Sequence, residues 1–165
     1  MRCITYLVRE YTADAAFILK PLEPKFKRGL TGPIWMRGDI DGAHGHASGD
    51  FGKGADTIHN TIKIIQSLDI LEERWNDRKT DYLPFDRHPN RIHFNIGRIE
   101  GVEWPSSMSA DCWFEVCIAI YPGQSRQKAY KKIRRFIFEQ TATHTFLKNH
   151  FPRFHYKGIL QKDIY

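Results

Sequence analysis

Two histidines in a glycine-rich segment are the first residues that could do chemistry. His44 and His46 are two positions apart in GAHGHAS, a spacing in which both imidazoles could bind a divalent metal ion. A zinc site needs three or four protein ligands, however, and no third ligand stands nearby in the sequence. A metal site therefore has weak support, and a pair of solvent-exposed loop histidines is the competing interpretation.

The three cysteines predict neither a disulfide framework nor a metal site. Cys3, Cys112 and Cys117 are odd in number and form no Cys-x-x-Cys pair. As a nucleophile Cys117 has no evident base partner, and a half-exposed strand cysteine is usually inert. The cysteines thus favour a reducing, cytoplasmic location. No window approaches the ~20 apolar residues that span a bilayer, so we expect no membrane association.

Two long strands are the clearest structural elements in the sequence, and the second would position Cys112 and Cys117. In Arg91–Ile99 and in Cys112–Ile120, apolar residues alternate with others, which is typical of strands with one buried and one open face. Gly101 and Pro105 mark the connection between the two strands. The predicted buried faces consist of Ile92, Phe94, Phe114, Val116 and Ile118, and the open faces of His93, Asn95, Glu115 and Cys117.

The remaining elements would cover the buried side of these strands. Pro33–Ile40 alternates as a strand, Phe151–Tyr156 is a short last strand, and Asp56 and Ser125 can cap two helices. The predicted apolar stripes are Ile58, Ile62, Ile65, Leu68, Leu71 and Trp75 on the first helix and Ala129, Ile133 and Ile137 on the second. The order predicts an α+β fold, a ferredoxin-like βαββαβ sandwich with a four-stranded antiparallel sheet and two helices on one face. Arg91–Ile99 would form an edge of that sheet, with backbone groups available to a partner.

The chain is basic, with 25 Lys and Arg against 19 Asp and Glu and a net charge of +6. Basic residues concentrate on the outer side of the second predicted helix, at Arg126, Lys128, Lys131, Lys132, Arg134 and Arg135. An RNA-binding ferredoxin-like module is therefore the alternative of another class. Such modules stack bases on aromatic residues of the two central strands, whereas the open-face residues named above are not aromatic. We interpret the basic helix as a solvated surface and do not expect nucleic-acid binding.

Five motifs, in order along nearly the whole chain, resemble those of a known enzyme family: Tyr11-Thr-Ala-Asp-Ala-Ala, Gly42-Ala-His-Gly-His-Ala-Ser, His93-Phe-Asn-Ile-Gly-Arg-Ile-Glu-Gly, Trp104-Pro-Ser-Ser and Ile120-Tyr-Pro-Gly. The ordered set is similar to the lid, or dimerisation, domain of the co-catalytic zinc metallopeptidases. That family includes acetylornithine deacetylase, succinyl-diaminopimelate desuccinylase and glutamate carboxypeptidase. The resemblance implies a hydrolase that cleaves N-acyl amino acids or dipeptides with a water held between two zinc ions. It also implies that residues 1–32 are a remnant of the catalytic domain and that residues 33–165 form the lid.

One zinc ligand of that family, a glutamate directly before a proline, would fall inside this chain. By its spacing from Asp14 the matching position is Lys20, which precedes Pro21. A lysine ammonium has no lone pair while it is charged, so it cannot bind zinc. Glu23, before Pro24, matches only if three residues are inserted. We therefore predict no metal site in this chain, although the full-length family binds two zinc ions.

The resemblance assigns roles to two further positions. His46 matches a histidine that reaches into the active site of the dimer partner and helps to stabilise the oxyanion of the tetrahedral intermediate. Cys117 matches an arginine that binds the substrate carboxylate, and a thiol cannot replace a bidentate guanidinium. The cysteine at position 117 and the lysine at position 20 both depart from the family pattern. These two departures support the hypothesis that the chain is a fragment or a decayed gene copy that no longer hydrolyses substrate.

The resemblance also implies a homodimer in which the edge strand and the first helix pair across a two-fold axis. The interface would include Ile92, Phe94 and Ile96. We therefore predict an isolated lid domain that is inactive alone and acts in self-association. The alternative is that the chain belongs to a longer, active zinc-dependent deacylase or peptidase.

Overall fold

The computed structural model describes residues 31–46, 56–78, 92–101, 104–121 and 123–157. This part of the chain forms β1 (Gly32–Asp41), β2 (Gly45–His46), α1 (Thr57–Asn76), β3 (Phe94–Glu100), β4 (Ser107–Met108), β5 (Asp111–Ile120), α2 (Arg126–Thr141) and β6 (Arg153–Lys157). The predicted zinc-ligand position Lys20 and its alternative Glu23 lie outside the described residues. So does nearly all of the proposed remnant at residues 1–32.

Four strands form one antiparallel sheet in the order β3-β5-β1-β6. The central strands β1 and β5 pair over their full length, from Gly32 opposite Ile120 to Asp41 opposite Asp111. The short strands β2 and β4 form a separate two-stranded sheet. The order confirms the predicted ferredoxin-like α+β fold, in which β3 is an edge strand.

Alternation along the central strands decides which side of the sheet is buried. Residues Ile34, Met36 and Ile40 of β1 and Phe114, Val116 and Ile118 of β5 are all buried. Ile64 and Leu68 of α1 and Ile133 and Ile137 of α2 belong to the same core cluster. Both helices therefore cover one face of the sheet, and neither covers the other face.

The packing between the central strands depends on a glycine in β1. A Cβ at Gly38 would lie 2.5 Å from Cε1 of Phe114 and 3.0 Å from Cε1 of Phe154, so both rings would have to move. We predict that Gly38→Ala lowers the free energy of unfolding by roughly 1–3 kcal/mol, the usual cost of overpacking a core. Urea denaturation measures this change. Gly97→Ala is the matched control in β3, because its nearest contact would be Asn95 Nδ2 at 3.8 Å, and an equal loss in both variants would contradict the prediction.

Helix α1 begins where the sequence predicts, with Asp56 as the N-cap that accepts a hydrogen bond from the His59 N–H at 3.0 Å. The predicted apolar stripe is partly wrong. The line that faces the core is Thr57, Thr61, Ile64, Leu68 and Leu71, whereas Ile62 is 41% exposed. Both lines advance by steps of three and four, so periodicity alone does not choose between them. The two threonines can be buried because Thr57 Oγ1 donates to the Ser109 carbonyl and Thr61 Oγ1 donates to the Thr57 carbonyl.

Helix α2 also follows the prediction. Its N-cap Ser125 accepts a hydrogen bond from the Lys128 N–H, and Ala129, Ile133 and Ile137 are buried as expected. Of the basic residues on the opposite side, only Arg126 is partly covered. Among the described helices, neither has an apolar stretch that could cross a bilayer.

A histidine after α2 should make folding sensitive to pH. His144 Nδ1 accepts hydrogen bonds from the Phe146 and Leu147 N–H groups at 3.3 and 3.2 Å, and its Nε2 lies 2.8 Å from Nζ of Lys63. Burial, and then the charge of Lys63, lower the pKa of His144 below its ordinary value.

Because the unfolded chain binds this proton more readily, stability should fall as pH drops through ~6.5, the ordinary histidine value, toward the lower folded pKa. We expect His144→Gln to lose this component of the pH dependence. Urea unfolding of both proteins between neutral and mildly acidic pH measures it, and identical slopes would refute the assignment.

Candidate functional site

The face of the sheet opposite the helices carries a continuous polar and aromatic surface. Its side chains come from all four strands: Trp35, Arg37 and Asp39 of β1, Trp113, Glu115 and Cys117 of β5, Asn95 and Arg98 of β3, and Arg153 and His155 of β6. The register sets Asn95, Cys117 and Trp35 in one row across the sheet. Arg98, Glu115 and Arg37 form the next row. We call this surface the open face.

An ion-pair network holds one end of the open face. Arg37 Nε and Nη2 both donate to Asp39 Oδ1, at 2.8 and 2.7 Å, and this hydrogen bonding raises the pKa of Arg37. His155 Nε2 lies 3.4 Å from Asp39 Oδ2. The guanidinium groups of Arg37 and Arg98 lie 4.1 and 4.9 Å from the ring centroid of Trp113. These contacts fix the orientation of Trp113 between two cations.

A cleft of about 390 Å³ lies beside this network, over β5. Cys117 and Val116 form part of its lining, with Trp35 on the β1 side and Asn95 and Arg98 on the β3 side. The pairing of β3 with β5 shifts between Ile96 and Arg98, so Gly97 forms an irregularity in the edge strand at this point. We call this space the open-face cleft.

Cys117 lies in the open-face cleft, where its side chain is half-buried. Burial raises the pKa of the Cys117 thiol, so the thiol form dominates at neutral pH. That Cys117 does not act as a nucleophile stays a prediction. Its match to a substrate-binding arginine stays a prediction.

His46 lies away from the cleft, in the small sheet, where it pairs with Ser107 of β4 and its side chain is exposed. His44, two residues earlier, is also exposed. Within the described residues, no three His, Cys, Asp or Glu side chains come together in a way that could hold a metal ion. The described residues therefore do not fit a zinc site, and the role of His46 in a partner's active site stays a prediction.

The outer edge of β3 is closed at its start by α1. Asn76 Nδ2 donates to the Ile92 carbonyl at 2.9 Å, and Asn76 Oδ1 accepts from the Ile92 N–H at 3.0 Å. Glu72 Oε2 accepts from the Phe94 N–H at 2.6 Å. The His93 carbonyl bonds to Ala119 of β5, so the groups of Ile92 and Phe94 point to the outer side. The edge that a second strand could join therefore starts beyond Phe94, later than the sequence suggested.

The predicted interface residues Ile92, Phe94 and Ile96 differ in their surroundings. Ile92 and Phe94 are buried in the core of their own chain, and Ile96 is half-buried. The side chains of Ile92 and Phe94 thus point into their own core, and a role for these residues in a dimer interface stays a prediction. Ile96 remains at the open part of the edge.

Isoleucines of α1 that the sequence assigned to the core lie along this open edge, where Ile65 also packs against the core cluster. Gly101, at the end of β3, lies against Ile58, and Asn76 lies against the start of β3, so α1 runs antiparallel to the edge strand. The helix line that faces the edge is Ile58, Ile62, Ile65, Asp69, Glu72 and Asn76. We call Ile58, Ile62, Ile65, Ile96 and Ile99 the edge patch; Ile62 is 41% and Ile99 49% exposed.

Sequence reasoning missed two features of the site. Trp35 and Trp113 lie on the open face of the two central strands, so the expectation that this face lacks aromatic residues is wrong. Trp35 was missed because the residues of Arg91–Ile99 were considered in place of those of β1, whereas the central pair is β1 and β5. Trp113 was left out although alternation along β5 places it on the open side. Arg98 was missed because the irregularity at Gly97 moves it onto the open face; a glycine inside a strand pattern was the available signal.

Comparison with known proteins identifies the family. Residues 28–144 match the model of the peptidase dimerisation domain. The chain is 28% identical over 160 residues to N-formyl-4-amino-5-aminomethyl-2-methylpyrimidine deformylase of Halalkalibacterium halodurans, covering 91% of this chain and 36% of that protein. It therefore spans about a third of the curated relative it matches.

Solved structures share the fold. A protein from Burkholderia cenocepacia described as an amidohydrolase/peptidase superposes with a TM-score of 0.55 and 15% identity, over 78% of this chain and 29% of that one. A hydantoinase/carbamoylase family amidase from Burkholderia ambifaria superposes with a TM-score of 0.54 and 13% sequence identity, over 78% of this chain and 28% of that one. Since the family model covers well over half of the sequence, this chain belongs to the peptidase dimerisation domain family.

Proposed function

We propose that this chain is the lid and dimerisation module of a zinc-dependent amidohydrolase, and that it pairs with a second copy through the outer edge of β3 and the adjoining face of α1. The edge patch carries this proposal. It sets half-buried and exposed isoleucines beside a strand whose outer side pairs with no described strand. Apolar surface next to an open edge is the arrangement that strand addition between two copies requires.

Hydrolysis would require a catalytic domain that the described residues do not contain. The described residues offer no cluster of metal ligands, so zinc would be bound by a catalytic domain outside them. That domain would supply a metal-activated water for cleavage of an N-acyl amide. We infer that this chain alone neither binds two zinc ions nor hydrolyses substrate, and that His46 would act only across a dimer. The curated relative, named as a deformylase, extends the proposed substrates to N-formyl amines.

The free thiols at Cys112 and Cys117 support our proposal of a cytoplasmic location, where cysteines stay reduced.

Sedimentation velocity at several protein concentrations tests the proposed assembly. We expect a dimer that dissociates on dilution. A strict monomer at high concentration would refute the proposal. A parallel assay with added zinc and N-formyl or N-acetyl substrates should show no hydrolysis, and turnover that removal of zinc abolishes would refute the inferred lack of activity.

A longer enzyme is the second candidate. The chain covers only 36% of the deformylase that it matches, so the same residues could serve as the lid of a complete zinc-dependent deacylase. Zinc-dependent deacylation by a longer protein that contains this sequence, with loss of activity when His46 is changed to alanine, would favour this candidate.

RNA binding is the candidate of another class, and Trp35 and Trp113 on the central strands favour it more than the sequence suggested. Two observations oppose it: Trp113 lies between two guanidinium groups, and Asp39 and Glu115 bring negative charge to the same surface. We expect no shift of labelled single-stranded RNA at low salt. A salt-dependent shift that Trp35→Ala abolishes would establish this function.

A further inference from the structure

We propose that the open-face cleft binds a planar, uncharged nitrogen heterocycle that carries an amino group, with Trp35 against the ring and Glu115, Arg98 and Asn95 at its polar edge. This inference rests on the proposed function, because it assigns the substrate class that the open face of the lid would recognise. It differs from the family pattern that the resemblance implies, in which an arginine at the position of Cys117 binds a carboxylate.

The cleft exists because the residue in its middle is small. Cys117 stands between Asn95 on one side and Trp35 on the other, and both neighbours have longer side chains. An arginine at this position, extending from the same strand, would project into the space over β5 and fill much of it. With cysteine the cleft keeps a volume of about 390 Å³, which is near the lower end of the range for small-molecule sites.

The charges in the cleft favour a neutral ligand over an anion. Arg98 Nη1 and Glu115 Oε2 are 3.6 Å apart, so the pair brings one positive and one negative group to the same wall. A carboxylate ligand that approached Arg98 would also approach Glu115, and the two like charges would repel. A neutral ligand avoids this repulsion.

The same pair can match the edge of an aminoheterocycle. An ionised carboxylate has about four acceptor sites and a guanidinium five N–H donors, so both keep hydrogen-bonding capacity while they contact each other. Glu115 can accept from an exocyclic amino group while Arg98 donates to the adjacent ring nitrogen. The side-chain amide of Asn95, which lines the same cleft, can either donate or accept such a hydrogen bond.

The remaining wall is aromatic. Trp35 is 47% exposed although it lies on a central strand, and it lines the cleft opposite β3. An indole can pack against a planar ring with a specific preference of roughly 0.5–1.5 kcal/mol beyond the area buried, which corresponds to about 2- to 12-fold in affinity. Because the exposed tryptophan lies next to a paired donor and acceptor, the cleft suits a flat polar ring better than it suits an aliphatic amino acid.

NMR titration of the 165-residue chain tests the inference, with 4-amino-2-methylpyrimidine as the probe and benzoate as a planar, anionic comparison. We expect amide shifts at Asn95, Gly97 and Cys117 with the pyrimidine and little change with benzoate. Trp35→Ala and Glu115→Gln should each weaken pyrimidine binding about fivefold or more. Trp104→Ala is the matched control, since Trp104 is 64% exposed and does not line the cleft.

Cys117→Arg gives the sharpest comparison. It should abolish pyrimidine binding by filling the cleft and create measurable benzoate binding. The inference would be overturned if the unaltered chain bound benzoate more tightly than the pyrimidine. It would also be overturned if the pyrimidine caused no amide shifts at millimolar concentration, or if neither Trp35→Ala nor Glu115→Gln weakened its binding. A chain that dimerises but does not bind the pyrimidine would refute this inference alone, whereas a monomer that binds it would refute only the proposed assembly.

Discussion

Ile62→Asp should convert the self-associated chain into a monomer. Ile62 is 41% exposed in the edge patch, on the line of α1 that lies along the outer edge of β3. In a two-fold dimer the same residue meets the partner twice, so one substitution buries two carboxylates in an apolar contact. Burying uncompensated charge costs several kcal/mol per ion, and we expect the dissociation constant to rise by roughly 100-fold or more.

Ile70→Asp is the matched control. Ile70 lies on the same helix and is 40% exposed, but it belongs to neither the core line nor the line that faces β3. Ile70→Asp therefore introduces the same charge and side chain as Ile62→Asp, at a residue with nearly the same exposed fraction. Sedimentation velocity should therefore show a monomer for the first variant and a dimer for the second. Equal association of both variants would place the interface elsewhere.

Asn76→Ala should destabilise the fold more than any other single change at the edge. The Asn76 side chain bonds to both the N–H and the carbonyl of Ile92, in the manner of a neighbouring strand. Ile92 itself is fully buried. Removing the amide leaves two backbone groups without these partners, and each such buried group costs about 1–3 kcal/mol. We expect the free energy of unfolding to fall by roughly 2–4 kcal/mol, measured by urea denaturation.

Asn76→Asp separates hydrogen bonding from simple truncation. An ionised aspartate can still accept a hydrogen bond from the Ile92 N–H but cannot donate one to the Ile92 carbonyl. The free energy of unfolding of Asn76→Asp should therefore lie between that of the unaltered chain and that of Asn76→Ala. Hydrogen exchange at Ile92 and Phe94 should accelerate in the alanine variant before exchange in β5 does. Unchanged stability in the alanine variant would show that these hydrogen bonds contribute little.

Much of the fold could be predicted from local sequence patterns. Period-two alternation identified β5 and the open and buried residues of its two faces, and the cap residues Asp56 and Ser125 located both helix starts. These signals are local, because a strand face and a helix cap depend on residues a few positions apart. The order of the elements then restricted the sheet to a ferredoxin-like arrangement.

The candidate site was less predictable because it depends on long-range register. No local pattern shows that Trp35 would stand opposite Cys117, or that Gly97 would displace Arg98 onto the same wall as Glu115. No local pattern showed which of the two lines of residues on α1 would face the core. The choice was decided by buried threonines whose hydroxyl groups found carbonyl partners, one of them 52 residues away at Ser109.

The way α1 covers the start of β3 also bears on how many copies can assemble. A sheet with two open edges could in principle add copies without limit, joining the β3 edge of one chain to the β6 edge of the next. Here Glu72 and Asn76 occupy the first backbone groups along β3, which leaves only a short stretch for pairing. The opposite edge, β6, has five residues and carries Arg153, and charged residues on an edge strand oppose further strand addition. The proposed assembly would therefore close as a pair and resist growth into a fibre.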